Sequence, residues 1–174
     1  MRRMLTSFLL VALVFGGSVA YAEDTATALT DADLVNIRAN CVSVQAALNR
    51  IRESDTLARV NLAQQYETIS TKLMAPLNSR VALNRLDGVE LTKTTVDFNN
   101  KLDEFRSLYL QYKETLSRAI DLKCTDQPVA FYDTLNLART HRAAVRDAVI
   151  QMSGLIKQYS GQVDALQITV KDKS

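Results

Sequence analysis

Apolar positions recur with a helical period along most of the chain. Leu34, Ile37, Cys41, Val44, Leu48 and Ile51 are spaced 3, 4, 3, 4 and 3 residues apart. That heptad spacing keeps one helix face toward a partner helix. The register then meets a charged residue, Asp55, passes Ala58, and resumes as Leu62, Tyr66, Ile69 and Leu73. Glu53-Ser54-Asp55-Thr56 is a place where the helix could break, but no Gly or Pro interrupts it. The pattern therefore predicts one helix over residues 31–75, opened by Thr30 and Asp33 as a capping box. Pro76 is expected to end or kink it, because proline lacks the backbone donor and clashes with the preceding turn. A short helix over 77–86 follows, with Asp87-Gly88 as its stop.

Thr94 and Asp97 offer the next cap. Phe98, Leu102, Phe105, Tyr109, Tyr112, Leu116 and Ala119 or Ile120 again repeat at heptad spacing and predict a helix over 94–122. After a short link, Pro128 suits the first turn of a helix behind an Asp126 cap. Phe131, Leu135, Ala138, Val145, Val149, Met152, Ile156, Tyr159, Val163 and Leu166 carry that helix over 128–167, with 169–174 left as a tail. Gly154 and Gly161 each weaken it by ~1 kcal/mol relative to alanine. No strand-like alternation of useful length occurs. The expected fold is all-α: an elongated, antiparallel, up-down-up helical bundle spanning 31–168, with a first helix approaching ~67 Å at ~1.5 Å per residue.

The first 22 residues read differently. Arg2 and Arg3 precede an uncharged apolar stretch from Leu5 to Phe15, then Gly16-Gly17-Ser18 and the small-x-small sequence Ala20-Tyr21-Ala22. This is the pattern of a secretory signal peptide cut after Ala22. The rival reading is a retained anchor over residues 4–22, just long enough to span a bilayer. Residues 23–30 read as a flexible tail. Cleavage changes the charge. The chain carries 21 basic and 19 acidic side chains. Arg2 and Arg3 leave with the signal, which holds no acid, so the remainder is formally neutral. A neutral chain has no global field for nucleic acid or anionic lipid, so no nucleic-acid partner is expected. Contact with a membrane is expected only through the signal segment, were it retained.

Export to a secreted or periplasmic location puts Cys41 and Cys124 where disulfides persist. In an antiparallel hairpin, their midpoint falls between residues 82 and 83, inside the break that follows Pro76. The hairpin and a Cys41–Cys124 disulfide thus predict each other. The alternatives are two free buried cysteines or pairing between chains.

Catalytic patterns are sparse. His141 is the single histidine and can face the seam, either as a ligand or proton switch or as an interfacial side chain bonded to a neighbour. There is no H-E-x-x-H, C-x-x-C-H or G-x-S-x-G sequence, and no glycine-rich phosphate cradle. Helical register puts His141 near Arg50 and far from Met74, against a Met/His haem site. Arg139, Arg142 and Arg146 form a basic strip, read either as an anion-binding face or as a solvated face paired with acids of neighbouring helices. No enzyme activity, cofactor or metal is expected. The most individual segment follows Met74. Pro76, Leu77, Arg80, Val81, Leu83, Arg85 and Leu86 carry more apolar surface than a plain hairpin turn needs. They read as an interaction tip, or else as a short helix capping the bundle.

Two stretches, Ile69-Ser70-Thr71-Lys72-Leu73-Met74-Ala75-Pro76-Leu77-Asn78-Ser79-Arg80 and Cys124-Thr125-Asp126-Gln127-Pro128-Val129-Ala130-Phe131-Tyr132-Asp133, resemble segments of small exported helical proteins of reduced-genome bacteria. The resemblance implies export and a helical fold, and no catalytic residues. The architecture is also similar to periplasmic coiled-coil holdase chaperones, which are typically basic where this chain is neutral. The expected role is an exported, non-enzymatic bundle that binds another protein or an envelope component, with self-association into a homo-oligomer open. The alternative is a carrier of a small apolar ligand in a cavity behind Tyr109, Tyr112 and Met152.

Overall fold

A computed structural model describes residues 29–171. The signal segment, most of the 23–30 tail and the last three residues lie outside them. The described chain folds as α1 (Asp31–Thr68), a π-helical turn (Ile69–Met74), α2 (Ala75–Leu83), α3 (Val89–Asp121) and α4 (Pro128–Lys171). These elements form an all-α bundle in which α3 is the central helix. The predicted seam of α3 is buried along its length, from Phe98 through Leu102, Phe105, Tyr109, Tyr112 and Leu116 to Ile120. The closest packing is between α3 and α4, and α1 lies across both.

α1 opens on the expected capping box. Asp33 N–H donates to Thr30 Oγ1 (3.2 Å) and Thr30 N–H donates to Asp33 Oδ2 (2.9 Å). The Thr30 hydroxyl also donates to Asp33 Oδ2 (2.6 Å), and this bond first, then the one from Thr30 N–H, holds the Asp33 carboxyl below its ordinary pKa. The helix runs unbroken through Ser54.

Pro76 does not end it. The backbone stays helical from Asp31 to Leu83, and the proline is accommodated by the π turn just before it. Ala75 N–H reaches back five residues to the Ser70 carbonyl. The wider turn draws the preceding carbonyls away from the proline ring, which removes the clash that a tight α turn imposes. This last helical stretch ends at Leu83 rather than at 86, and the hairpin turn over residues 84–88 lies inside the expected break.

The helix stop also differs from expectation. Arg85, not Gly88, occupies the left-handed region, with φ 54°. Leu86 N–H bonds the Val81 carbonyl (3.1 Å) and Arg85 N–H bonds the Ala82 carbonyl (3.0 Å), which is the Schellman pattern. Gly88 serves close approach instead. A Cβ there would lie 2.7 Å from Val81 Cγ1. α3 then begins at Val89 rather than at 94. Thr94 is not a cap but a buried residue that accepts a bond from Gln158 Nε2 (3.3 Å). α4 starts at Pro128 as expected, but runs through the predicted tail to Lys171. The Thr125 hydroxyl donates to the Asp126 carboxylate (3.1 Å), and it is the Gln127 carbonyl that accepts the first helical N–H, from Phe131 (3.0 Å).

The core divides into two apolar clusters. One lies toward the turn, around Tyr66, Met74, Phe98, Phe105, Met152 and Tyr159. There Tyr66 meets Phe98 and Phe105 edge-on, at 6.0 and 6.2 Å between ring centres. The other lies around the disulfide: Cys41, Leu48, Leu116, Ile120, Cys124 and Phe131. Along α1, a polar layer at Asp55 lies between them, where the heptad is interrupted.

Candidate functional site

The polar layer explains the charged residue on the seam. Asp55 faces inward from α1 and meets one side chain from each of the other long helices. Tyr112 of α3 donates its hydroxyl to Asp55 Oδ2 (2.6 Å). Arg142 of α4 donates through Nε and Nη2 to the two Asp55 oxygens, both at 2.9 Å. A bidentate arginine–carboxylate pair with a third donor fills most of the carboxylate's accepting capacity. Burial first, then the Asp55 hydrogen bond and charge, push the Tyr112 phenol far above its ordinary range. The bond to Asp55 raises the Arg142 guanidinium. Near neutrality both groups therefore hold fixed charge states, which suits positioning rather than proton transfer.

The next residue, Thr56, donates its hydroxyl to the Arg52 carbonyl (2.7 Å) and accepts from the Tyr109 hydroxyl (3.2 Å). The Arg59 guanidinium lies over the Tyr109 ring, 4.5 Å from its centre. Its Nε is buried and has no hydrogen-bond partner among the described residues. Beside these residues is an open cleft of about 150 Å³. Its apolar walls come from Leu62, Phe105, Val145 and Val149, and its charged rim from Asp55, Arg59, Arg142 and Arg146. Tyr109 and Tyr112 line it as expected for a cavity at these residues. Met152 does not, because it is fully buried in the cluster toward the turn.

The basic strip thus divides. Arg142 belongs to the inter-helix network. Arg139 donates to Asn136 Oδ1 (2.9 Å) on its own helix. Arg146 has one acidic neighbour, Asp147, at 3.6 Å, and stays largely exposed. His141 is an interfacial side chain. Its Nδ1 lies 3.0 Å from Thr115 Oγ1, whose own hydroxyl reaches the Gln111 carbonyl (2.8 Å). If that hydroxyl proton points at Gln111, the ring carries its proton on Nδ1.

Cys41 and Cys124 form the expected disulfide, with Cα atoms 5.6 Å apart and both residues buried. The junction is reinforced by Gln45 of α1, which donates to the Ile120 (2.8 Å) and Leu122 (2.9 Å) carbonyls. These are carbonyls at the C-terminal end of α3, left without partners inside the helix. Arg38 Nε bonds the Thr125 carbonyl in the same way (3.3 Å).

At the opposite end, the seven tip residues separate by role. Val81 is buried and belongs to the core, with Leu77 and Leu86 half-buried against it. Pro76, Arg80 and Arg85 are exposed, and Leu83 is 83% exposed. Val89, not singled out from the sequence, adds a second exposed apolar side chain at 70%. A groove of about 330 Å³ runs beside the turn, walled by Leu77, Val81, Leu86, Val163 and Leu166. Arg80 and Lys171 line it, and among the described residues no acid does. A polar cross-link stands behind it. The Tyr159 hydroxyl donates to Asn78 Oδ1 (2.8 Å), and Asn78 Nδ2 donates to Thr95 Oγ1 (2.8 Å).

The sequence signal for the mid-bundle cluster was Asp55 at a heptad position. Arg59 carried no such signal, since a lone arginine on a helix is ordinary. Among the described residues no helix is long and apolar enough to cross a membrane. No group of three or more His, Cys, Asp or Glu side chains among them is placed to hold a metal ion. The chain matches no protein-family model, no curated protein and no solved structure.

Proposed function

We propose that the protein is an exported, non-enzymatic helical rod that binds a partner protein of the cell envelope through its turn end. The observation that carries this reading is an open apolar groove lined by Arg80 and Lys171 at the turn end, where Leu83 and Val89 are also exposed. An exposed apolar groove bordered by basic side chains suits docking of an apolar segment that carries acidic residues. Its complement is a segment with apolar side chains flanked by Asp or Glu. The disulfide supports an oxidising compartment, and with it the signal-peptide reading of residues 1–22.

A photo-crosslinker at position 83, compared with one at position 153 on the shaft, tests the proposal in the native envelope. One partner captured from position 83 alone, and bound again by the purified proteins, supports it. That binding is expected to fail for Leu83→Glu and Arg80→Glu with thermal stability unchanged. Equal labelling from both positions, or unchanged binding by both variants, would overturn it. Capture of a second copy of the chain would replace the partner with a homo-oligomer. The ligand-carrier reading retains one specific observation in its favour, the cleft beside Tyr109 and Tyr112.

A further inference from the structure

We infer that this cleft is a binding site for a small amphipathic anion: a carboxylate on an aromatic ring or a short alkyl chain. The inference is independent of the turn end and stands or falls without it. Charge is the first ground. The cleft is lined by Arg59, Arg142 and Arg146 against one carboxylate, Asp55. Asp55 is already held by Arg142 and Tyr112, so it neither pairs with the other two arginines nor repels an incoming anion at full strength. Arg146 has only Asp147 near it, at 3.6 Å.

The second ground is the unsatisfied donor. A buried guanidinium N–H without an acceptor is costly, and native structures rarely leave one so. Arg59 Nε is such a group, and the Arg59 side chain lines the cleft. A guanidinium presents its donors in a planar fork that matches a carboxylate. The stacking of Arg59 on Tyr109 restrains the orientation of that fork.

The third ground is the shape and chemistry of the walls. Leu62, Phe105, Val145 and Val149 offer no polar partner to a bare inorganic anion. They do suit a hydrocarbon body. A cavity of about 150 Å³ holds a body the size of a benzene ring. The ligand class is therefore fixed at both ends: a carboxylate head toward Arg59 and Arg146, and an apolar body of six or so carbons against Phe105 and Val149.

The test uses the full disulfide-bonded chain, titrated calorimetrically and followed by thermal denaturation, with benzoate and hexanoate as probes. Benzyl alcohol, hexan-1-ol and inorganic phosphate are the controls. Saturable binding of the carboxylates is expected with a Kd of ~0.1–1 mM, the range open to so few heavy atoms. The alcohols and phosphate should bind at least ~10-fold more weakly, because each lacks one of the two contacts. Arg59→Gln is expected to weaken benzoate by ~10-fold, consistent with loss of a charge-assisted bond. Arg146→Gln, on an exposed side chain that the fold does not need, should weaken it severalfold and keeps the test valid were Arg59→Gln to misfold. Alcohols binding as tightly as the acids would overturn the inference. So would phosphate matching benzoate, the absence of saturable binding by ~50 mM, or unchanged affinity in the folded arginine variants.

Discussion

Replacing Cys41 and Cys124 together by alanine removes the covalent tie between α1 and the end of α3. Both positions are buried, and alanine keeps a small apolar side chain at each, so little packing is lost. The effect therefore falls mainly on the unfolded chain. The disulfide spans 83 residues. In the chain-entropy model, a closed loop of that size removes ~15 cal/mol/K from the unfolded ensemble, or ~4.5 kcal/mol at 25 °C. Unfolding entropies near ~2.1 cal/mol/K per residue give ~0.3 kcal/mol/K over roughly 140 residues, so the melting temperature should fall by ~15 °C. Urea unfolding of oxidised wild type and the double variant, with circular dichroism as the readout, measures this. The denaturant slope should rise in the variant, because its freed chain exposes more surface on unfolding. A loss below ~1.5 kcal/mol with an unchanged slope would refute the reasoning. It would mean that the reduced, unfolded chain already keeps α1 and α3 together.

Backbone placement yields opposite expectations for two positions three residues apart, Arg85 and Gly88. Arg85→Gly should stabilise by ~1 kcal/mol, because glycine adopts the left-handed conformation without the Cβ penalty. Gly88→Ala should destabilise, since its new Cβ meets Val81; Gly154→Ala and Gly161→Ala, in open space on α4, should each add ~1 kcal/mol in the same denaturation assay. A double-mutant cycle of Asp55→Asn and Arg142→Gln should return a coupling of ~1 kcal/mol at low salt, reduced at high salt because the arginine is largely exposed. Tyr66, Tyr112 and Tyr159 all have phenols raised above the ordinary value of 10.0, chiefly by burial. The folded state then holds protons that the unfolded state gives up, so their contribution to stability is intact below pH 10 and is lost as pH rises beyond it. Denaturation midpoints measured from pH 8 to 11 check the sign, and a rising midpoint would contradict it.

Much of this molecule is legible along the chain, for a reason visible in α3. Its seam residues are large and apolar, repeat every three or four positions, and all become buried. The same reasoning is weaker for α1, where Ile51 on the seam remains 39% exposed. Period identifies a face but not how deeply a neighbour covers it. Pro76 does not end the helix because the local rule for α-helices does not include the π turn that relieves it. Arg85 was passed over because glycine is the usual left-handed residue, and here Gly88 was needed for contact with Val81. Of the site, the disulfide and the turn-end residues could be located from the sequence, but the separation of Val81 from Leu83 could not. Two residues apart on a helix, they point to different sides.

The amino-acid sequence by itself determined the helical class and the three long helices, and made a Cys41–Cys124 bond the expected pairing that the structure then holds. These follow from periodicity and chain reach, which are properties of local order along the chain. Only the tertiary structure decided what Asp55 and Arg59 do. Their chemistry depends on Tyr109, Tyr112 and Arg142, which approach from helices distant in sequence. A charge on a heptad position reads as a defect until its partners are in place. Once three helices converge on it, the same residue joins the two apolar clusters and forms one edge of the cleft between them.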